Sequence, residues 1–209
     1  MLLIPTIVSA EEAKFVEMLN GKDLSGWVAE GRTTYQAGKE KKPNWTIQDG
    51  MLHCAGKGYG FLRYDKKVCD FVFHLEFRMS PRCNSGIGIR HVAYSGKKRG
   101  SRPSGSGYEL QLLDDFGRKP HKHGTMSLYR LVAPTKNSIK KAGEWNVAEI
   151  TCIGPKIKVV LNDEVVHDID QSKIKQTKKK PLCGYVSVQV HGHVIDYRNL
   201  RMKVLKAGK

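Results

Sequence analysis

Apolar and polar positions alternate along much of this chain, and the alternation is most regular from Phe71 to Met79. There the odd-numbered residues are all apolar, whereas the even-numbered ones, apart from Val72, are polar or charged. A period of two residues is typical of a strand with one buried and one open face. The same alternation recurs in residues 86–90, 109–112 and 186–191.

Turn residues separate these short apolar segments. Asp49-Gly50, Gly154-Pro155 and Asn162-Asp163 each stand between two segments with strand character, which indicates hairpins. No segment longer than about eight residues shows the i, i+3, i+4 spacing of a helix. The sequence therefore predicts an all-β fold, in which two antiparallel sheets pack as a jelly-roll sandwich.

We expect one domain over residues 11–209. Residues 1–10, MLLIPTIVSA, resemble the end of a signal peptide, and we interpret them as a truncated one. No stretch approaches the length of a membrane span. Trp27, Trp45 and Trp145 each adjoin the start of a strand, so we expect them to anchor the core.

Three strands stand out as a candidate binding face. If residues 70–79, 84–90 and 107–115 share one sheet, their open face is polar and surrounds two glycines, which leave bare backbone. Strand glycines often mark a place where a ligand approaches closely, and such a face would suit a flat polar ligand such as a sugar. The residues concerned are Glu76, Arg78, Arg90, Glu109 and Gln111 around Gly86 and Gly88.

The chain is strongly basic, with 36 Lys and Arg against 20 Asp and Glu among 209 residues and a formal net charge of +16. The basic residues form runs among Gly, Ser, Pro and Thr, which places them on loops. Such runs attract polyanions, or are simply solvated loop tips. Because no aromatic residues interleave with the lysines, we do not expect a nucleic-acid partner.

Cysteine and histidine spacing gives little sign of a metal site. The five cysteines form no CxxC pair, and we interpret them as buried small hydrophobic residues, with at least one free thiol because the number is odd. His121 and His123 form a His-x-His pair, but no third ligand is evident nearby. A divalent metal therefore stays open as a cofactor, and no other cofactor is predicted.

Seven segments, taken in their order and spacing, resemble the 3-keto-disaccharide hydrolase domain family, long catalogued as a domain of unknown function. The resemblance covers nearly all of the chain from Phe15 onward. It implies a concanavalin A-like jelly roll, a carbohydrate ligand such as an oxidised glycoside, and export to the periplasm or the medium of a glycan-degrading bacterium. The segments are LNGKDLSGW (19–27), WTIQDGML (45–52), DFVFHLEFR (70–78), NSGIGIR (84–90), GYELQLLDD (107–115), AGEWN (142–146) and YRNLRMKVL (197–205).

The chemistry that the resemblance implies is cleavage of glycosides already oxidised to a ketone at C3. The ketone acidifies the C2 hydrogen, a base removes it, the glycosidic oxygen leaves C1, and water then adds. This reaction needs a base, a group that polarises the C3 oxygen, and an acid for the leaving group. We assign Glu109 and His191 as base and acid, and Arg78 and Arg90 as polarising groups. The residues expected to bind substrate hydroxyls, or in the case of Asp114 substrate or a metal, are Asn84, Gln111, Asp114, Tyr129 and Gln189.

Two alternatives stay open from the sequence. Glu76 with Arg78, and Glu109 with Arg90, could pair across strands and serve only the fold. Val190 stands where family members often carry an acid or an amide, so a non-catalytic carbohydrate-binding module, holding acidic glycans with its basic loops, is the second functional hypothesis. The sequence does not define the oligomeric state.

Overall fold

The computed structural model describes residues 14–96 and 99–205, so the interpretation of residues 1–10 lies outside the described part. Strands dominate, and short helices interrupt them at Arg99–Ser101 (3-10), Pro103–Ser106 (α1) and Gln171–Lys173 (3-10). No helix of the described part has the length and apolar character needed to cross a membrane. The strands are β1 (Val16–Glu17), β2 (Trp27–Gly31), β3 (Thr34–Ala37), β4 (Glu40–Pro43), β5 (Trp45–Gln48), β6 (Met51–Cys54), β7 (Lys57–Tyr64), β8 (Phe71–Met79), β9 (Asn84–His91), β10 (Tyr108–Leu113), β11 (Trp145–Ile153), β12 (Lys156–Leu161), β13 (Glu164–Asp170), β14 (Tyr185–Gly192) and β15 (Ile195–Val204).

Two antiparallel sheets form the sandwich. The larger sheet has the order β13-β12-β11-β8-β15-β6-β5, with β1 paired to β15, and the smaller sheet has the order β10-β9-β14-β7-β2. The prediction of an all-β, two-sheet antiparallel sandwich is confirmed. Outside these two sheets, β3 and β4 form a separate hairpin.

The core lies between the two sheets and follows the period-two pattern. The odd-numbered residues of β8 are buried there, and the even-numbered ones are only partly covered. The smaller sheet contributes Ile87 and Ile89 from β9, Leu110 and Leu112 from β10, and alternate valines from β14. Full burial of one such side chain stabilises the fold by about 1.5–3 kcal/mol.

The prediction that β8 shares a sheet with β9 and β10 is wrong. β8 lies in the larger sheet between β11 and β15, so its polar side chains face solvent on the opposite side of the molecule. There Arg78 donates to Asp196 Oδ2 over 2.9 Å, and Glu76 accepts from the Nε of Arg198 over 2.8 Å. Alternation within one strand shows which side is buried, but it does not identify the neighbouring strand.

Arg90 is also displaced from the expected face, because β9 contains a bulge at this point. Tyr185 of β14 pairs with His91 and Ser187 pairs with Gly88, so β9 has one residue more than β14 over this stretch. Arg90 takes up the extra residue with a φ of 55°, in the left-handed region. Its side chain therefore turns inward and is fully buried.

Two further expectations are only partly met. Trp27 and Trp45 are buried as predicted, but Trp145 lies on the outer face of the larger sheet, with the guanidinium carbons of Arg78 and Arg198 at 4.9 and 4.0 Å from its ring centroid. Three cysteines, at positions 54, 83 and 152, are buried free thiols as expected. The other two, Cys69 and Cys183, form a disulfide that the spacing did not reveal.

Candidate active site

A polar cleft of about 620 Å³ lies over the outer face of the smaller sheet. Four of its strands provide the floor, namely β7, β9, β10 and β14. The segment around α1 forms one wall, and residues 129–131 form the other. The floor residues are Tyr59, Asn84, Glu109, Gln111, Gln189 and His191, and the wall residues are Arg102, Ser104, Gly105, Tyr129, Arg130 and Leu131.

The centre of the floor is free of side chains because β9 carries glycines there. A Cβ atom placed on Gly86 would lie 3.1 Å from both Cγ and Oε1 of Glu109. The Glu109 carboxylate thus lies across the bare backbone of β9 and reaches β14, where its Oε1 accepts a 2.8 Å hydrogen bond from Gln189 Nε2. Gly86 therefore allows the Glu109 carboxylate to approach the strand closely, and it does not form a turn.

Glu109 is a buried carboxylate, with 6% of its surface exposed. Burial raises its pKa above the ordinary range of a glutamate, and the hydrogen bonds from Gln189 and Ser104 and the charges of Arg102 and Arg130 partly offset that rise. No Lys, Arg or His among the described residues lies close enough for an ion pair with it. The cross-strand pair with Arg90 that the sequence allowed is therefore not formed.

His191 lies at the end of β14, on the same face as Gln189, and its ring packs edge-on against Tyr59 with the centroids 5.2 Å apart. Partial burial lowers its pKa, and the positive charge of Arg102 lowers it further. Val190 between them is fully buried in the core. Because adjacent strand residues face opposite sides, a different residue at position 190 would not add a functional group to the cleft floor.

Arg102 enters the cleft from the wall that contains α1. Its guanidinium carbon lies 4.6 Å from the ring centroid of Tyr59, and its Nε is buried without a hydrogen-bond partner among the described residues. Lys180 Nζ holds this wall by donating to the carbonyl oxygens of Ser104 and Gly105 over 3.0 and 2.8 Å. The wall is thus tied to the basic loop that precedes β14.

The other wall runs beside β10. Met126 N donates to Gln111 O over 2.7 Å and Tyr129 N donates to Glu109 O over 2.8 Å, so this segment extends the sheet edge irregularly. Its base is held by Asp115, which accepts hydrogen bonds from the backbone and the hydroxyl of Thr125. Tyr129 is thereby placed over the cleft.

Six of the sequence-predicted site residues meet in this cleft: Asn84, Glu109, Gln111, Tyr129, Gln189 and His191. Three do not. Arg78 belongs to the outer face of the larger sheet; Arg90 is in the core, where it donates to Gln171 Oε1 and Gly154 O over 2.9 and 2.7 Å; and Asp114 accepts from Arg82 N at a turn. The expectation that these three residues line the binding face is therefore wrong.

Sequence reasoning missed Tyr59, Arg102, Ser104 and Arg130. Arg102 and Ser104 stand in the basic glycine-serine stretch that connects β9 to β10, and the sequence analysis treated basic runs as loop tips. A loop that joins two neighbouring floor strands must begin and end at that floor, and this is the signal that could have identified them. Tyr59, between two glycines, carried no comparable signal.

The two loop histidines are both exposed, with ring centroids 6.3 Å apart, and His123 packs edge-on against Tyr129. Over residues 14–96 and 99–205, no group of three or more His, Cys, Asp or Glu side chains is placed to hold a metal ion. The cleft itself contains a carboxylate, Glu109, an imidazole, His191, and two guanidiniums, Arg102 and Arg130.

An antiparallel two-sheet sandwich with a polar cleft on its smaller sheet defines a concanavalin A-like jelly-roll protein. Within that class, the chain belongs to the 3-keto-alpha-glucoside-1,2-lyase-like domain family, whose model matches residues 14–203. This confirms the resemblance noted in the sequence.

A curated relative agrees with this placement, and solved structures share the fold. The chain is 27% identical to a 3-keto-disaccharide hydrolase of Bacteroides thetaiotaomicron, over 91% of this chain and 78% of that protein. It superimposes with a TM-score of 0.72, at 20% identity, on a protein of Parabacteroides distasonis assigned provisionally to the glycosyl hydrolases, covering 92% of this chain and 94% of that one. A carbohydrate-binding module of Bacillus subtilis, CBM66, shares the fold with a TM-score of 0.53, at 14% identity over 85% of this chain and 95% of that one.

Proposed function

We propose that this protein cleaves 3-keto-glycosides by removal of the C2 proton, elimination of the leaving group at C1 and hydration of the unsaturated sugar. Family membership and the Bacteroides relative, itself a 3-keto-disaccharide hydrolase, support the substrate class. The single observation that carries the proposal is the position of Glu109. It is a buried carboxylate in a polar cleft, and no cation of the described residues pairs with it.

Glu109 is the base. Burial raises its pKa, and a carboxylate with a raised pKa is a stronger base at the pH at which it still ionises. The hydrogen bond from Gln189 fixes the direction of the carboxylate over Gly86. A fixed carboxylate at the cleft floor is suited to removing a proton from a sugar ring that lies flat on that floor.

Arg102 replaces Arg78 and Arg90 as the group that polarises the C3 oxygen. Negative charge develops on this oxygen when the C2 proton leaves, and a guanidinium in a partly enclosed site stabilises such charge strongly. Arg102 lies close enough to lower the pKa of both Glu109 and His191, so it acts electrostatically on the same space. Its Nε is buried and has no hydrogen-bond partner within the described residues.

His191 delivers the proton to the leaving oxygen, and the remaining polar residues orient the sugar. Tyr59 supports the imidazole from the side at 5.2 Å. Asn84, Gln111 and Gln189 present amides to the cleft, and Tyr129 presents a ring from the wall. Amides and a flanking ring suit a hydroxyl-rich ligand with a flat apolar face.

The experiment compares two 3-keto-glucosides that differ in their leaving group. A 4-nitrophenyl glycoside needs little help from an acid, whereas an alkyl glycoside depends on one. We expect Glu109→Gln to lower kcat about 100-fold or more on both, and His191→Gln to lower it by a similar factor on the alkyl glycoside only. Turnover of both by Glu109→Gln at the wild-type rate would refute the proposal.

The alternative hypothesis of a non-catalytic binding module predicts a different outcome of the same assay. A module would bind the alkyl glycoside or an acidic glycan without releasing an aglycone. The likeness to CBM66 concerns the fold alone, and a fold does not decide between binding and catalysis. A titration of wild-type protein with both ligands, run beside the activity assay, distinguishes the two.

We further propose that the protein works in an oxidising compartment, the periplasm or the medium. The Cys69–Cys183 disulfide supports this, because structural disulfides persist in such compartments and are rare in reducing ones. The test is fractionation of the source cells, followed by thiol labelling under non-reducing conditions. Recovery of the protein in the cytosol, with Cys69 and Cys183 both labelled, would contradict the proposal.

A further inference from the structure

The cleft wall that contains Tyr129 is part of a segment in which every charged residue is basic. From Phe116 to Gly143 the chain has seven Lys or Arg residues and no Asp or Glu. This segment adjoins the cleft through residues 129–131. A positive wall with no carboxylate of its own raises the local concentration of anions and steers them to the site that it borders.

Arg130 is the cation of this segment that reaches the cleft. Its guanidinium carbon lies 5.2 Å from the ring centroid of Tyr129, and its backbone has a φ of 68°. A left-handed backbone costs a non-glycine residue about 1–2 kcal/mol. The backbone N–H of Arg130 donates a 2.8 Å hydrogen bond to Lys122 O, which holds this turn. Strain of this kind at a cleft is a reason to look for a function of the side chain.

No carboxylate of the described residues forms an ion pair with Arg130. Ion pairs in the described part involve three arginines, Arg63, Arg78 and Arg198, none of which lines the cleft. Neither Arg130 nor Arg102 forms an ion pair within residues 14–96 and 99–205, although both line the cleft. Among the described residues that line the cleft, two guanidiniums without an ion pair therefore stand against one carboxylate, Glu109.

We propose that the substrate carries an anionic group, a carboxylate or a sulfate, on the part that leaves with the glycosidic oxygen, and that Arg130 binds it. The inference rests on the proposed function, because that function occupies Arg102 with the C3 oxygen and leaves Arg130 for the aglycone. A guanidinium matches the geometry of carboxylate and sulfate oxygens with two parallel hydrogen bonds. Tyr129, packed beside Arg130, would contact the aglycone next to its charge.

The test uses two matched substrates, the 3-keto-glucosides of 4-hydroxybenzoate and of 4-hydroxybenzamide, which differ in charge and little in shape. We expect wild-type kcat/KM to favour the carboxylate about tenfold at low ionic strength, as one charged hydrogen-bonded pair allows. This preference should fall as salt is added, because the site is open to solvent. Arg130→Gln should bring the ratio close to one.

Lys158→Gln is the matched control, because it removes one positive charge from an exposed position on β12 of the other sheet. It should keep the wild-type ratio. A wild-type ratio of one or below would overturn the inference, and so would a preference that survives in Arg130→Gln. If neither substrate is turned over, the proposed function fails separately. The ratio of the dissociation constants of the two compounds, measured by calorimetry, then tests the anion site in place of the ratio of kcat/KM values.

Discussion

The Glu109 carboxylate and the Gln189 amide, on strands that are not neighbours, meet over 2.8 Å across the backbone of β9. β9 carries glycine at positions 86 and 88, opposite Gln111 and Glu109 in the sheet register, and a Cβ at Gly86 would lie 3.1 Å from the carboxylate. A side chain at position 86 would therefore press on the Glu109 carboxylate where it approaches Gln189. The orientation of the Glu109 carboxylate therefore depends on the absence of a side chain at position 86 of β9.

Gly86→Ala should lower activity with little effect on folding. The new Cβ would lie 3.1 Å from Cγ and Oε1 of Glu109, so the carboxylate must move by a few tenths of an ångström. Such a displacement of a reacting group costs about tenfold or more in kcat, while the free energy of unfolding should change by less than about 1 kcal/mol. Steady-state kinetics and urea unfolding measure the two.

Gly100→Ala is the control, since a Cβ at Gly100 has no neighbour within 4 Å among the described residues. It should leave both quantities near wild type. Equal kcat for Gly86→Ala and wild type would mean that the carboxylate does not need its place over β9.

Arg102→Gln should shift the pH profile of kcat/KM toward higher pH at both ends. The Arg102 charge lowers the pKa of Glu109 and that of His191, so its removal raises both. Because Glu109 must be ionised, the acid limb moves up, and because His191 must be protonated, the alkaline limb moves up as well. Arg102→Lys keeps the charge, so its limbs should stay near their wild-type positions even if its rate falls. Limbs that remain in place in Arg102→Gln would show that the guanidinium does not act on these groups.

The fold was predictable because burial leaves a period-two record along the chain, as in β8, where the odd-numbered residues are all buried. The cleft floor was predictable from the alternation of polar with apolar residues, since Glu109 and Gln111 on β10 and Gln189 on β14 alternate with leucines and valines of the core. Strand pairing leaves no such record, and for this reason Arg78 was assigned to the wrong sheet. The bulge that turns Arg90 inward left no record in the sequence pattern either. One extra residue in a strand inverts the side to which the residues after it point.

Arg90→Ala should damage stability rather than catalysis. The buried guanidinium donates to Gln171 Oε1 and to Gly154 O, and its loss leaves both acceptors without this donor in the core. We expect the free energy of unfolding to fall by about 3 kcal/mol or more, and KM of the folded protein at low temperature to stay near wild type.

Arg118→Ala, at an exposed position, should change stability by less than about 0.5 kcal/mol. Full stability of Arg90→Ala together with a large loss of kcat would restore the catalytic role that the sequence suggested.

Reduction of the disulfide should lower the thermal stability of the sandwich. Cys69 precedes β8 of the larger sheet and Cys183 precedes β14 of the smaller one, so the bond ties the two sheets across a sequence separation of 114 residues. Closing a loop of this length stabilises the folded state by about 4–5 kcal/mol in the chain-entropy account. At about 2–4 °C per kcal/mol for a protein of this size, Tm should fall by roughly 10–20 °C when a reductant is added.

The double variant Cys69→Ser/Cys183→Ser should have the lower Tm from the start and should not respond to reductant, since the remaining cysteines are buried free thiols. A wild-type Tm that does not change with reductant, in protein shown by thiol counting to be fully reduced, would mean that packing between the sheets suffices without the covalent link.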